Sequence, residues 1–177
     1  MSRRLAEGFD AEVSRADRPP VQAVVALGAN LGDRARTLDA AVTELRRLPL
    51  VDDVKVSATV ESVAVKPDGP DAEAPAYLNA VALVTTRLAP SVLLAFLQAI
   101  ETRHGRERRE RWGDRTLDLD LIAYGPVISR DAILTLPHPR AAERDFVLVP
   151  WLTIDPDAEL PGQGRVDALL ERLRRSE

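Results

Sequence analysis

Val21 to Leu27 is a nearly continuous apolar run closed by Gly28, the pattern of a buried strand. Asp33 then stands where a helix N-cap belongs. Leu38, Ala41, Val42, Leu45 and Leu48 follow at helical spacing, so a helix is expected from about Arg34 to Leu48, ended by Pro49. Val54, Val56, Ala58 and Val60 alternate with Lys55, Ser57 and Thr59, which predicts one strand. From Glu61 to Pro75 the chain carries Lys66, Pro67, Gly69, Pro70 and Pro75 and is expected as a long loop. Tyr77 to Thr86 reads as a further strand. Ser91, after Pro90, opens a helix whose residues Val92, Leu93, Phe96, Leu97 and Ile100 carry it to about His104. Thr116 to Tyr124 alternates strictly and predicts another strand. The order to this point is β-α-β-β-α-β. Past Gly125 the contrast weakens. Short strands are expected at Val127–Ile128 and Ile133–Leu136, a loop over Pro137–Arg144, an apolar turn at Val147–Trp151 and a helix over Val166–Arg174. The expected fold class is α+β, a ferredoxin-like βαββαβ sandwich with a mainly antiparallel sheet and helices on its faces.

Residues 1–20 are charged, weakly periodic and end in Pro19-Pro20, so they are expected as a flexible extension, leaving 21–177 as a single domain. Hydrophobic residues at 45% and charged residues at 29% describe a soluble globular chain and exclude wholesale disorder. No apolar run approaches the roughly 20 residues that would span a bilayer. The first 20 residues hold Arg3, Arg4, Arg15 and Arg18 without an apolar core of a signal peptide, so a cytoplasmic protein is expected. The absence of cysteine excludes disulfides, thiolate nucleophiles and Cys-ligated metals. A net charge of -4 argues against general nucleic-acid binding. Only Lys55 and Lys66 are lysines; the other 22 of the 24 cations are arginines, a bias that GC-rich coding explains for most of them. It does not explain why Arg103, Arg106, Arg108, Arg109, Arg111 and Arg115 crowd into one segment.

That segment runs into Thr116-Leu117-Asp118-Leu119-Asp120-Leu121. In a strand Asp118 and Asp120 project from one face, roughly 7 Å apart at the backbone. Their carboxylates can converge on one hard cation, or on a pair about 3.5–4 Å apart, or they can be ordinary carboxylates on an exposed face. Arginines beside them suit a polyphosphate, which guanidinium groups grip in forked pairs. The alternative is a solvated loop with local pairs such as Glu107 with Arg111. Trp112, inside the loop, could stack on a flat heterocycle. Asn79, in Tyr77-Leu78-Asn79, could offer a donor and an acceptor to a planar ring edge, or be a structural turn residue. Gly28-Ala29-Asn30-Leu31-Gly32-Asp33-Arg34 matches neither G-x-x-x-x-G-K-[ST] nor G-x-G-x-x-G and reads as turn and cap chemistry that could line a site. Pro137-His138-Pro139-Arg140, followed by Arg144 and Phe146, forms a rigid loop around a histidine. With only His104 and His138 in the chain, a multi-histidine metal site cannot be built.

Together these blocks resemble the 6-hydroxymethyl-7,8-dihydropterin pyrophosphokinases over about Val21 to Gly162. The resemblance rests on Ala26-Leu27-Gly28-Ala29-Asn30-Leu31-Gly32-Asp33-Arg34, on Tyr77-Leu78-Asn79-Ala80-Val81 and on Arg111-Trp112-Gly113-Asp114-Arg115-Thr116-Leu117-Asp118-Leu119-Asp120-Leu121. It continues in Leu134-Thr135-Leu136-Pro137-His138-Pro139-Arg140 and Glu143-Arg144-Asp145-Phe146-Val147-Leu148. It implies an ATP-dependent enzyme of folate biosynthesis, a monomer that transfers diphosphate to the pterin hydroxymethyl group, releases AMP and uses two Mg²⁺. By the same resemblance Asp118 and Asp120 hold both ions, and Arg106 and Arg115 join them at the catalytic centre. Asn79 would bind the pterin edge with Tyr77 beside it, Phe146 and Trp112 would sandwich the ring, and the segment from Ser62 to Val65 would supply pterin contacts. Gln98, Glu101, Arg108, Arg115, Thr135, His138 and Arg144 would line the nucleotide site.

Two departures from the family pattern stand out. Ser62-Val63-Ala64-Val65 replaces a Thr followed by a Pro-containing turn and a Gly, and Asp114 replaces a common Pro. They predict unchanged chemistry with weaker substrate binding. Two other functions compete: a metal-dependent phosphohydrolase using the same carboxylates to activate water, and an RNA-binding module on the same topology. The second needs strand aromatics to stack bases, and the candidate strands carry little beyond Tyr77 and Tyr124.

Overall fold

The computed structural model describes residues 18–66, 69–71, 74–105 and 116–176. Most of the expected N-terminal extension and the segment from Arg106 to Arg115 lie outside the described residues.

β1 (Val21–Ala29) runs through Gly28 and is the central strand. The Asp33 carboxylate caps α1 (Arg34–Arg46) by accepting the Arg36 N–H at 3.1 Å, as the sequence predicts. β2 (Val51–Val56) and β3 (Val60–Ser62) both pair with β6 (Tyr77–Thr86). The one strand expected over Val54–Val60 is therefore two. Ser57 manages the break: its backbone N–H donates to Val81 O, and its hydroxyl accepts the Val81 N–H at 3.0 Å while donating to Ala58 O. The long loop expected over Glu61–Pro75 contains the end of β3 and a small hairpin of β4 (Ala64–Lys66) and β5 (Gly69–Asp71). α2 (Pro90–Arg103) starts one residue before the expected Ser91, with Pro90 in its first turn where no amide hydrogen is needed. β7 (Asp118–Tyr124) follows the arginine segment.

The main sheet has the order β2-β6-β1-β7, antiparallel throughout, with β3 also on β6. β6 thus lies between β1 and β2, the split arrangement the element order predicts. Helices cover both faces. On one, α1 and α2 bury Leu38, Leu45, Leu93, Leu97 and Ile100 against Val25, Leu27, Leu119 and Leu121. At the far end of that layer Glu44 of α1 takes Arg103 Nε at 2.8 Å and His104 Nε2 at 2.7 Å from the end of α2. On the other face Val24, Val81, Leu83 and Ile122 pack under Leu148, Trp151, Leu169 and Leu170. These come from α3 (Asp145–Ile154) and α4 (Val166–Ser176).

The register of β7 on β1 slips between Val25↔Leu121 and Val24↔Ala123, leaving Ile122 unmatched. The bulge flips the faces, so Leu121 and Tyr124 share one core while Ile122 and Ala123 share the other. The strict alternation expected through Tyr124 holds only up to the bulge.

The C-terminal third departs most from expectation. Val147–Trp151 is helix, not turn: α3 is apolar almost all round and carries Pro150 inside, so it shows no amphipathic stripe and a proline that argues against a helix. The strand expected at Val127–Ile128 lies one step on, as β8 (Ser129–Arg130), pairing with β9 (Thr135–Leu136). The Pro137–Arg144 loop includes a 3-10 turn over Ala141–Glu143. Short strands β10 (Glu159–Leu160) and β11 (Gly164–Arg165) lead into α4, which forms as expected. No helix among the described residues is long and apolar enough to cross a membrane.

Candidate active site

Side chains directly opposite each other on neighbouring strands share a face of the sheet. Gly28 is opposite Asn79 on one side and Asp118 on the other; Ala26 is likewise opposite Val81 and Asp120. Two rows therefore cross the sheet, Asn79–Gly28–Asp118 and Val81–Ala26–Asp120, on the face covered by α3. Val81 belongs to the apolar core there, so the polar row lies where that core ends. Both carboxylates do project together, as the alternation predicts. Small residues on the central strand, Gly28 and Ala26, form the floor between the amide of Asn79 and the carboxylate pair.

The floor depends on Gly28. A Cβ at this position would stand 3.2 Å from Asn79 Oδ1 and 3.6 Å from Tyr77 Cδ1. A glycine inside a strand marks such a close approach. Reading Gly28 as the end of a strand and the start of a turn conceals this, and it is the site residue that the sequence analysis misplaces.

Asn79 is 5% exposed, and its Nδ2 donates to Ser62 Oγ at 2.9 Å and to Val60 O at 3.4 Å. Tyr77 is half-buried, directly opposite Ser62 in the β3–β6 ladder. Arg34, in the first turn of α1, ties the neighbouring segments together: Nη1 donates to Ala76 O at 2.7 Å and Nη2 to Glu61 Oε1 at 2.9 Å.

On the carboxylate side, Arg144 Nη1 donates to Asp120 Oδ2 at 2.9 Å, and His138 Nε2 lies 3.9 Å from the same oxygen. The Arg144 guanidinium also stands 5.8 Å from the centre of the Phe146 ring, within cation–π range. Phe146 is half-buried against the apolar core under α3. The 136–146 segment is held to the sheet by His138 N–H, which donates to Ile122 O at 2.8 Å just after the cis Leu136–Pro137 peptide. His138 Nδ1 in turn accepts the Arg140 N–H at 3.2 Å, so Nε2 carries the hydrogen when the ring is neutral. Burial pushes the His138 pKa below its ordinary value. Asp120 and Asp118 pull it upward, but Arg144 and Arg140 add to the effect of burial.

Among the described residues, no group of three or more His, Cys, Asp or Glu could by itself hold a metal ion. The donor set at this end of β7 is two carboxylates on one face, with Arg144 and His138 beside Asp120. That suits a hard cation whose remaining oxygen ligands come from water and substrate phosphates.

The structure brings Ser62, Tyr77, Asn79, Asp118, Asp120, His138, Arg144 and Phe146 to this one end of one face. Val65 lies in the small β4–β5 hairpin that follows. Three others stand apart. Gln98 is exposed on α2, which packs on the opposite face. Thr135 is exposed, and its hydroxyl donates to Asp131 O in its own hairpin. Glu101 is 1% exposed, and its Oε1 accepts the Leu119 N–H at 2.8 Å, between the two aspartates in sequence. Arg106, Arg108, Trp112 and Arg115 lie outside the described residues.

Residues 24–156 match the family model for 7,8-dihydro-6-hydroxymethylpterin-pyrophosphokinase. The chain is 40% identical over 152 residues to the 2-amino-4-hydroxy-6-hydroxymethyldihydropteridine pyrophosphokinase of Haemophilus influenzae, covering 86% of this chain and 92% of that one. The Pseudomonas aeruginosa protein of the same name is 42% identical over 146 residues, covering 82% and 88%. Among solved structures, an HPPK-DHPS in complex with substrates superimposes with a TM-score of 0.68 at 12% identity over 90% of this chain. A Plasmodium falciparum HPPK-DHPS superimposes with a TM-score of 0.66 at 12% identity over 92%. This chain spans 44% and 47% of the length of those two chains, and the likeness to them is one of fold. With the family model matched over residues 24–156, which include both carboxylates, the chain belongs to the 7,8-dihydro-6-hydroxymethylpterin-pyrophosphokinase family.

Proposed function

We propose that the reaction of this chain takes place at the polar end of the β6–β1–β7 sheet face, with pterin on the Asn79 side of Gly28 and the phosphates of ATP on the Asp118–Asp120 side. Membership of the family makes the chain a pyrophosphokinase, a transferase of folate biosynthesis with ATP as co-substrate. The terminal diphosphate of ATP passes as one unit to the hydroxymethyl oxygen of 6-hydroxymethyl-7,8-dihydropterin, and AMP leaves. The observation that carries the local reading is the row Asn79–Gly28–Asp118: a ring-edge reader and a phosphate-side carboxylate flank a residue with no side chain.

Asp118 and Asp120 would hold two Mg²⁺ ions, which when bound supply neutralising charge and orient the triphosphate. Phosphoryl chemistry asks the protein mainly for alignment and charge compensation. Arg144, already on Asp120, places a fixed cation where phosphate oxygens would lie. His138, kept neutral by burial and the nearby arginines, would offer its Nε2–H to an oxygen. Phe146 would stack on the pterin, and Tyr77 would flank it beside the Ser62–Val65 segment. Arg106, Arg108, Trp112 and Arg115 would complete the phosphate and ring contacts, and Gln98, Glu101 and Thr135, which stand apart from this face, would serve a nucleotide that runs past the edge of β7. No side chain near the carboxylates is assigned as general base. We place the enzyme in the cytoplasm as a monomer with two small-molecule substrates.

Incubation with ATP and Mg²⁺, with and without the hydroxymethyl-dihydropterin, tests the reaction. AMP should form only when the pterin is present. Asp118→Asn and Asp120→Asn should each lower kcat by about 10³-fold, the several kcal/mol expected of lost metal-based charge stabilisation. AMP formation indifferent to pterin would instead establish a phosphohydrolase.

A further inference from the structure

We propose that Ser62 is a positioning residue for substrate selectivity: its hydroxyl fixes which end of the Asn79 amide faces the ring slot, so that the slot presents a carbonyl oxygen to a ring N–H. The inference deepens, and rests on, the placement of pterin beside Asn79.

β3 contributes only three residues, and its pairing Val60↔Asn79 and Ser62↔Tyr77 sets two acceptors beside the Asn79 side chain. Val60 offers a backbone carbonyl, which can only accept. The amide group facing it must therefore be the NH₂, and chemistry settles the O/N assignment. That contact is long at 3.4 Å, whereas the bond to Ser62 Oγ is 2.9 Å, so most of the orienting force comes from Ser62. Reversing the amide would set Oδ1 against the Val60 carbonyl in a nearly closed site.

With both N–H groups engaged, Oδ1 is the end left to face the substrate. It lies over Gly28, on the side of the floor toward Asp118. Ser62, having accepted one hydrogen bond, keeps its own O–H to donate and is half-buried rather than closed off. The pair therefore presents one acceptor and one donor, a pattern that fits a heterocycle carrying an N–H next to a carbonyl, as the pyrimidinone edge of a pterin does.

Removing the hydroxyl leaves only the long bond to Val60 to hold the amide. Ser62→Ala should weaken binding of the hydroxymethyl-pterin about tenfold, the loss of one buried hydrogen bond at its upper range. Affinity for a non-hydrolysable ATP analogue should stay unchanged. Ser62→Thr should restore affinity, and Ser62→Val, of the same shape without the oxygen, should not. A 3-methyl pterin, which lacks the ring N–H, should be rejected strongly by the parent protein and less by Ser62→Ala. Asn79→Ala is measured alongside. If it leaves pterin affinity intact, the placement of pterin is wrong. If it loses affinity while Ser62→Ala binds and discriminates like the parent, the placement stands and the positioning role is overturned.

Discussion

Gly28 matters here because of what it lacks. Its backbone is an ordinary strand, so no unusual dihedral angle requires glycine; the requirement is space, with Asn79 Oδ1 3.2 Å from where a Cβ would be. Gly28→Ala should therefore leave the fold intact, at a cost of about 1–3 kcal/mol for overpacking. Pterin affinity should fall by about tenfold, with ATP binding little changed, as calorimetric titration of each substrate would measure. Other residues were more legible. Asp118 and Asp120 could be placed on one face from alternation alone, because the pleat has a period of two and the bulge comes after them. Asn79 could be named as a candidate ring-edge reader from its chemistry. The hydrogen bond that ties Ser62 to Asn79 and the floor at Gly28 could not be read, because pairing between segments far apart in the chain is invisible in a one-dimensional pattern.

At the scale of elements, helices with a clear apolar stripe and a cap announced themselves: α1 from Asp33, α2 from Pro90, α4 from Val166. α3 did not, because a helix buried on nearly all sides loses the contrast on which the reading depends. The single strand expected over Val54–Val60 splits because the Ser57 hydroxyl can replace a backbone partner. α1 and α2 are joined at their C-terminal ends by Glu44, which accepts from Arg103 and His104. Burial works against its charged form, yet the hydrogen bonds from Arg103 and His104 outweigh it and hold the carboxyl below its ordinary value. A carboxylate with a depressed folded-state pKa contributes stability above its unfolded pKa and loses it as the pH falls through the folded one. Glu44→Gln should thus lower the thermal midpoint near neutral pH, and the gap between variant and parent should narrow as the pH falls below the ordinary glutamate value and close once it passes the lower folded-state one. A scan of melting temperature against pH would follow it.

For the molecule as a whole, two cores on opposite faces of one sheet divide the labour. The core under α1 and α2 was visible almost residue by residue in the sequence. The one under α3 and α4 was not, yet α3 is the element whose first turn carries Phe146 and whose N-cap is Arg144. Leu148 is fully buried in that second core. Leu148→Ala should cost about 2–5 kcal/mol and loosen the footing of Phe146 and Arg144. Pterin affinity should suffer along with the denaturant midpoint, whereas an equally large loss from Leu45→Ala, in the other core, should leave substrate affinity nearly unchanged below its melting point.

Among the described residues β7 is the last strand of the sheet, and two groups on its outer side are taken: the Leu119 amide by the Glu101 carboxylate, the Ile122 carbonyl by the His138 amide. At the opposite margin β2 carries Asp52, Asp53 and Lys55. A neighbouring molecule trying to stitch its own strand onto either border would meet occupied bonds on one and charge on the other. The architecture that steadies the carboxylates thus also discourages fibre-like stacking of the protein at high concentration.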